Sequence, residues 1–139
     1  MARIIHIDGP DKTGKDSIRR EVVANSEGTA MVYVRSFLSQ IVYSRLYNRE
    51  IDEDWFLAKW YRAFNLGEEF YFTDCSYEMV KERFILHNEM DLDIKDWENH
   101  RKVFYDVLKE AEEVGIEVKH IDTTSDTIAM SALKIQREL

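Results

Sequence analysis

The sequence predicts an α/β sandwich built on a parallel sheet, and three observations carry that prediction. Short β-branched runs alternate along the chain with longer segments whose apolar residues recur at helical spacing. The first such run is joined to the first helical segment by a glycine-bounded loop, Asp8-Gly9-Pro10-Asp11-Lys12-Thr13-Gly14-Lys15. Strand–helix–strand units of this kind cross over right-handed and pair their strands in parallel, leaving ligands at the carboxyl ends of the strands.

Taken in order, Arg3-Ile4-Ile5-His6-Ile7-Asp8 has the composition of a buried strand. A helix from about Lys15 to Asn25 follows and stops at the polar Asn25-Ser26-Glu27-Gly28 turn. Thr29 to Val34 is the second strand. That places Arg35, just beyond it, on the ligand side of the sheet. Ser36 to Asn48 reads as a helix with Phe37, Leu38, Ile41, Val42 and Leu46 on one side. An acidic turn at Ile51-Asp52-Glu53-Asp54 leads into an aromatic helix, Trp55 to Leu66, that ends at Gly67. Its Trp55, Phe56, Trp60, Tyr61 and Phe64 are expected mainly in the core, with Arg62 the odd residue among them.

Glu69 to Asp74 is the third strand, and Tyr77 to Leu86 a helix carrying Lys81 and Arg83. The polar, acidic stretch 87–96 has the composition of a short lid. Trp97 to Val114 is the most regular helix in the chain, with Val103, Phe104, Val107, Leu108 and Ala111 at helical spacing before Gly115. Ile116 to Ile121 forms the fourth strand, and the Asp122-Thr123-Thr124-Ser125 loop opens the last helix. No repeat, linker or low-complexity segment divides residues 1–139, so a single domain is expected.

Composition narrows the function. A net charge of −8 argues against a protein that coats nucleic acid or an anionic membrane, so extended nucleic-acid binding is not expected. An anionic ligand then needs a local basic site. The lone Cys75 excludes an internal disulfide and fits a reducing compartment. With no apolar run of spanning length and a strand at the very start, a cytoplasmic protein without membrane contact is the expectation. The aromatic faces at 55–64 and 97–105 serve equally well as core or as a homodimer surface.

Strand, glycine-bounded loop, Gly-Lys and helix together make the layout of a phosphate-binding P-loop. Gly9 and Gly14 let successive amides point inward, the helix adds its positive end, and the Lys15 ammonium can reach β- and γ-phosphates. ATP is therefore the expected ligand, with Gly9, Lys12, Thr13, Gly14, Lys15, Asp16 and Ser17 around its phosphates. The position after Gly-Lys usually holds a hydroxyl for Mg²⁺, and here it is Asp16, with Ser17 next. A carboxylate can also bind Mg²⁺. Equally, Asp16 can simply cap the helix. Asp74, at the end of its strand, stands either as a second Mg²⁺ acid or as a cap for the following helix.

Several blocks in this order resemble the thymidylate kinases, P-loop nucleoside monophosphate kinases that move the γ-phosphoryl of ATP to dTMP. The loop Asp8 to Lys15 is similar to that family's acid-Gly-x-Asp-x-x-Gly-Lys variant. The resemblance implies that Asp11 approaches the acceptor's sugar and that Lys12 supplies charge at the transferring phosphoryl. It also implies that Arg35 and, through Leu57-Ala58-Lys59-Trp60-Tyr61-Arg62-Ala63, Arg62 hold the acceptor phosphate. Arg83 would lie near the adenine, and His120-Ile121-Asp122-Thr123-Thr124 resembles the last strand and its loop. Phe37 or Tyr43 would stack on the acceptor base.

The family's Asp-Arg-Tyr segment is not found between the Arg62 helix and the late strand, and the chain is shorter than a full member. The expected activity is transfer of the ATP γ-phosphoryl to a (deoxy)nucleoside monophosphate, with dTMP or a related pyrimidine nucleotide first. Lys15 and Lys12 would stabilise the moving charge and Asp74 would organise Mg²⁺. The alternatives are a nucleotide-binding module without turnover, and a kinase acting on a nucleoside or a polynucleotide end.

Overall fold

The computed structural model describes residues 2–86 and 91–137, with side chains of the second stretch from residue 96 onward. The chain order is β1 (Arg3–Asp8), α1 (Lys15–Ser26), β2 (Ala30–Val34), α2 (Phe37–Leu46), α3 (Glu53–Asn65), β3 (Glu69–Asp74), α4 (Tyr77–Leu86), α5 (Asp91–Glu113), β4 (Lys119–Asp122) and α6 (Ile128–Gln136). The four strands form one parallel sheet in the order β2-β1-β3-β4. The predicted α/β sandwich and its element order are both found.

Strand alternation divides the core into two layers. Ile5, Ile7, Val32, Tyr71 and Ile121 face one way and bury Ile18 and Val22 of α1 with Ala132 and Ile135 of α6. On the opposite face Phe70 and Phe72 pack with Leu38, Ile41 and Val42 of α2, Trp60 and Ala63 of α3, and Phe104, Val107, Leu108 and Ala111 of α5. Each fully buried side chain of this size contributes roughly 1.5–3 kcal/mol, so these layers dominate the stability of the fold. A smaller cluster of Cys75, Val80, Phe84 and Trp97 ties α4 to α5 below the loop region. At the start of the sheet the Arg3 guanidinium clamps Glu69, joining β1 to β3.

Three helices are closed by a left-handed residue, two of them at the expected Gly67 and Gly115 and α2 two residues short of its expected end. Asn48 takes φ 51° and lets Arg49 N–H reach back to the Ser44 carbonyl, so α2 stops at Leu46. Gly67 does the same for α3, where Glu68 N–H donates to the Ala63 carbonyl. Gly115 closes α5 with Ile116 N–H on the Ala111 carbonyl, which delays β4 until Lys119. At its other end α5 begins at Asp91 rather than Trp97, so the last part of the predicted lid is helical. Residues 87–90 of that predicted lid lie outside the described residues.

The aromatic helix is also less buried than expected. Trp60 is fully enclosed, but Trp55 is 52 % exposed and Tyr61 45 % exposed on the outer side of α3. Among the described residues no helix is long and apolar enough to cross a membrane.

Candidate functional site

The loop between β1 and α1 is shaped by contacts that only its own residues permit. A Cβ on Gly9 would stand 2.3 Å from Thr73 Oγ1 and 2.4 Å from the Thr73 carbonyl, so β1 and β3 can close here only around glycine. Gly14 is left-handed at φ 87° and sits as the N-cap of α1. Lys12 is also left-handed, at φ 64°, an unusual state for a residue with a side chain. Successive turns of this kind point backbone N–H groups into one concavity, which suits an anion.

Bonds from the β3 and β4 ends hold the loop in that curl. Thr13 is fully buried and donates its hydroxyl to the Pro10 carbonyl at 2.6 Å, with Thr73 Oγ1 2.8 Å away. Thr123 Oγ1 lies 2.9 Å from the Thr13 carbonyl. The Arg83 guanidinium donates to the Lys12 carbonyl at 2.5 Å and to the Thr123 carbonyl at 2.9 Å. Trp97 Nε1–H donates to the Asp11 carbonyl at 2.6 Å. Helices α4 and α5 and the loop after β4 thus brace the anion-binding backbone from outside.

Lys15 lies inside this curl with its ammonium 3.3 Å from the Pro10 carbonyl. Burial, and then the Arg35 charge, push the Lys15 ammonium below the ordinary lysine value, while Asp11, Asp16 and Asp8 pull the other way. A buried, under-neutralised cation beside inward-facing amides is an anion receptor. Asp8, at the end of β1, is almost completely buried. Its Oδ1 accepts from Ser36 N–H at 2.7 Å, Ser39 N–H at 3.3 Å and the Ser39 hydroxyl at 2.5 Å. Burial raises the Asp8 carboxyl above the usual range against the pull of those bonds.

Arg35 stands across the mouth of the loop. Its guanidinium meets both oxygens of Asp16 at 3.3 and 3.4 Å, and its backbone is left-handed at φ 60°. On the α2 side Tyr43 stacks on Tyr47 with centroids 6.0 Å apart and sets its edge to His100 at 5.9 Å and to Phe104 at 6.0 Å. Burial, then Asp11 and Tyr47, raise the Tyr43 phenol; burial lowers the His100 imidazole against the pull of Asp96 and Asp11. The Asp11 carboxylate acts on both groups, so they lie within its electrostatic reach.

The structure therefore brings Gly9, Asp11, Lys12, Thr13, Gly14, Lys15, Asp16, Ser17 and Arg35 to one end of the sheet. Within that group Lys12 turns its ammonium onto the Phe84 ring, 5.7 Å from the centroid. Ser17 Oγ accepts from Arg20 at 3.3 Å.

Four expected residues take other places. Arg62 is exposed in the last turn of α3, which leads into the start of β3 at the amino end of the sheet, opposite the end that carries the loop. Phe37 packs on His6 of β1 and Phe70 of β3, with centroids 5.9 and 6.2 Å away, rather than on the Tyr43 ring cluster. Arg83 spends its N–H groups on the loop backbone, as described above. Asp74 gives one oxygen to Arg101 Nε at 2.9 Å and the other to Arg101 Nη2 at 2.8 Å and to the Tyr105 hydroxyl. The cavity of about 270 Å³ that Asp74 lines contains no residue of the 9–17 loop. Sequence reasoning passed over Asp8, Ser36 and Ser39. The available signals were an acid directly before Gly9 and two serines three positions apart at a helix start, where both can turn toward the same strand end.

With this geometry in place, comparison with known proteins adds a fold. The crystal structure of the YorR protein from Bacillus subtilis, in complex with phosphorylated GDP, superposes with a TM-score of 0.83. The match covers 96 % of this chain and 94 % of that one, at 13 % sequence identity. The likeness is one of fold. The chain shares the α/β fold of that protein, here with a four-stranded parallel sheet and a glycine-bounded loop after the first strand. No family model and no curated protein matches the sequence.

Proposed function

We propose that the protein transfers the γ-phosphoryl group of ATP to a (deoxy)nucleoside monophosphate, with dTMP or a related pyrimidine nucleotide as the first candidate acceptor. The observation that carries this reading is the left-handed loop around buried Lys15 with Arg35 set across its mouth. One cation faces the donor phosphates and the other has the place of an acceptor-phosphate ligand. Catalysis of phosphoryl transfer is mainly positioning and charge neutralisation, which such a pair can supply. The nucleotide held by YorR supports the reading and adds purine nucleotides to the acceptors worth testing.

β2 pairs directly with β1, and Arg35 follows its last residue, Val34. Arg35 would be the acceptor-phosphate arginine, with Asp16 the carboxylate that meets it across the loop. The Tyr43 ring, rather than Phe37, would face the acceptor base.

Mg²⁺ fits the residues present. Among the described residues no cluster of three or more His, Cys, Asp or Glu side chains forms a closed cage. Mg²⁺ needs only one or two carboxylates, because it keeps waters and takes phosphate oxygens as ligands. Asp8, Asp11 and Asp16 all act on the Lys15 ammonium, which puts carboxylates around the phosphate position. Asp16 would hold the ion, with Asp8 behind it, and Asp74 would not. When bound, Mg²⁺ neutralises charge on the phosphate oxygens.

The test is a transfer assay with Mg-ATP and each nucleoside monophosphate in turn, read as ADP and diphosphate product, beside ATP-dependent thermal stabilisation. Lys15→Ala should lower turnover by about 10²–10³-fold, as loss of a transition-state charge partner does. Its melting temperature should not fall, since the variant removes a buried cation that burial disfavours. ATP-dependent stabilisation with no turnover on any acceptor would favour the second reading, a nucleotide-binding module. The Asp16–Arg35 contact across the mouth is the observation behind that alternative.

A further inference from the structure

Beneath Arg35 runs a hydrogen-bonded chain that phosphate binding does not explain. His6 Nε2 lies 2.7 Å from Glu68 Oε1, and His6 Nδ1 lies 2.6 Å from the Ser36 hydroxyl oxygen. The imidazole is 6 % exposed and clamped on both faces, by Phe70 at 4.6 Å and 11° and by Tyr33 at 5.5 Å and 22°. A ring held this way keeps both nitrogens aimed at fixed partners. A carboxylate only accepts, so Nε2–H donates to Glu68, and the second ring nitrogen, Nδ1, shares a hydrogen bond with the Ser36 hydroxyl. Glu68 is itself anchored, as the residue whose N–H closes α3 on the Ala63 carbonyl.

Ser36 is the N-cap residue of α2, yet its side chain makes no capping bond. Its hydroxyl is turned to His6 and its N–H to Asp8 Oδ1. The peptide that joins Arg35 to Ser36 is therefore tied to β1 at two points. With both groups committed, Ser36 has the geometry of an anchor and not of a nucleophile. Arg35 needs an anchor. Its left-handed φ of 60° crowds Cβ against the following carbonyl, and such a state persists only where neighbours over-determine it. Core packing does not provide this, because Tyr33, Arg35, Ser36, His6 and Glu68 all line one open cavity of about 310 Å³.

We propose that Glu68, His6 and Ser36 are positioning residues that hold Arg35 in its left-handed conformation and so aim its guanidinium across the P-loop. The functional half of this inference rests on the reading of Arg35 as the acceptor-phosphate ligand; the structural half does not.

The experiment uses the full chain and two NMR signatures, the ¹⁵N shifts of the His6 ring and the backbone shifts of Arg35, with calorimetric titration of dTMP and of ATP. Wild type should show a protonated Nε2 and left-handed Arg35 shifts. Ser36→Ala and Glu68→Ala should move Arg35 toward extended shifts and weaken dTMP about tenfold, the effect of one lost hydrogen bond, with ATP affinity unchanged. Ser36→Thr and Glu68→Gln, which keep a hydroxyl and an acceptor, should restore both readouts. Arg35 shifts that stay left-handed in a folded Ser36→Ala protein would overturn the proposal, as would a loss that Ser36→Thr fails to rescue. Should wild type bind no monophosphate, the functional reading fails while the Arg35 shifts still decide the anchor.

Discussion

Two arginine–aspartate pairs sit at the carboxyl end of the sheet, one on each flank, and they have opposite characters. Arg101 grips Asp74 with two bonds of 2.8 and 2.9 Å, Tyr105 completes the carboxylate, and the Asp74 side chain is 15 % exposed. Arg35 reaches Asp16 only at 3.3 and 3.4 Å, with side chains 51 % and 56 % exposed and no third partner among the described residues. The first has short charge-assisted geometry and a sheltered carboxylate, with Arg101 itself 41 % exposed; the second is long and solvated at both partners. A locked pair braces the fold, whereas a loose one can exchange its carboxylate for a ligand phosphate. If the protein carries out the proposed transfer, Asp74 has a bracing role on this comparison and the ligand side lies beside β2.

Breaking the loose pair should have the larger effect on function. Arg35→Ala is expected to raise the acceptor KM by about 10–100-fold, the effect of losing a hydrogen bond to a charged group. Its stability should change by no more than about 0.5 kcal/mol, because an exposed pair at this distance contributes little. Steady-state kinetics and urea denaturation would check the two halves. A stability loss without a KM change would reverse the roles assigned to the two pairs.

Breaking the locked pair should do the opposite. Arg101→Ala is expected to cost about 1–2 kcal/mol of stability and to leave turnover unchanged. Burial works to raise the Asp74 carboxyl, but Arg101, then Tyr105 and the Cys75 N–H, outweigh it and hold the group below the usual aspartate range. The ionised carboxylate therefore stabilises the fold at pH above the ordinary aspartate value of about 3.9, and the contribution is lost as pH falls through the lower folded value. Urea midpoints of variant and wild type should thus differ at neutral pH and converge in acid. A fall in turnover at unchanged stability would return Asp74 to the metal site.

The same contrast explains what the sequence revealed. The P-loop was legible because its chemistry is local: Gly9, Gly14 and Lys15 are bound to fixed spacings by turn geometry and phosphate reach. The element order was legible because periodicity and glycine stops are local too. The partner of Asp74 was not, because Arg101 lies on another helix and only packing of α5 on β3 brings it there. Arg62 misled for the converse reason. A motif places a residue on a helix, but only the crossing of that helix over the sheet decides which end of the strands its last turn reaches. Asp8, Ser36 and Ser39 converge through β1–β2 pairing, which no single segment encodes.

Asp16→Ser gives the smallest expected effect and sharpens the comparison most. Losing an exposed pair and a carboxylate in the first turn of α1 should alter stability by only about 0.5 kcal/mol. If Asp16 is the metal ligand, a serine there leaves the ion with a neutral ligand in place of a charged one. The Mg²⁺ concentration for half-maximal ATP-dependent stabilisation should then rise several-fold, about 1 kcal/mol, while Arg35, relieved of its carboxylate, should bind the acceptor at least as well as before. Unchanged Mg²⁺ dependence with tighter acceptor binding would instead make Asp16 a gate, a carboxylate that occupies Arg35 until a phosphate displaces it. Titration of Mg²⁺ at fixed ATP separates the two, and no change in either Mg²⁺ dependence or acceptor binding would remove Asp16 from the site.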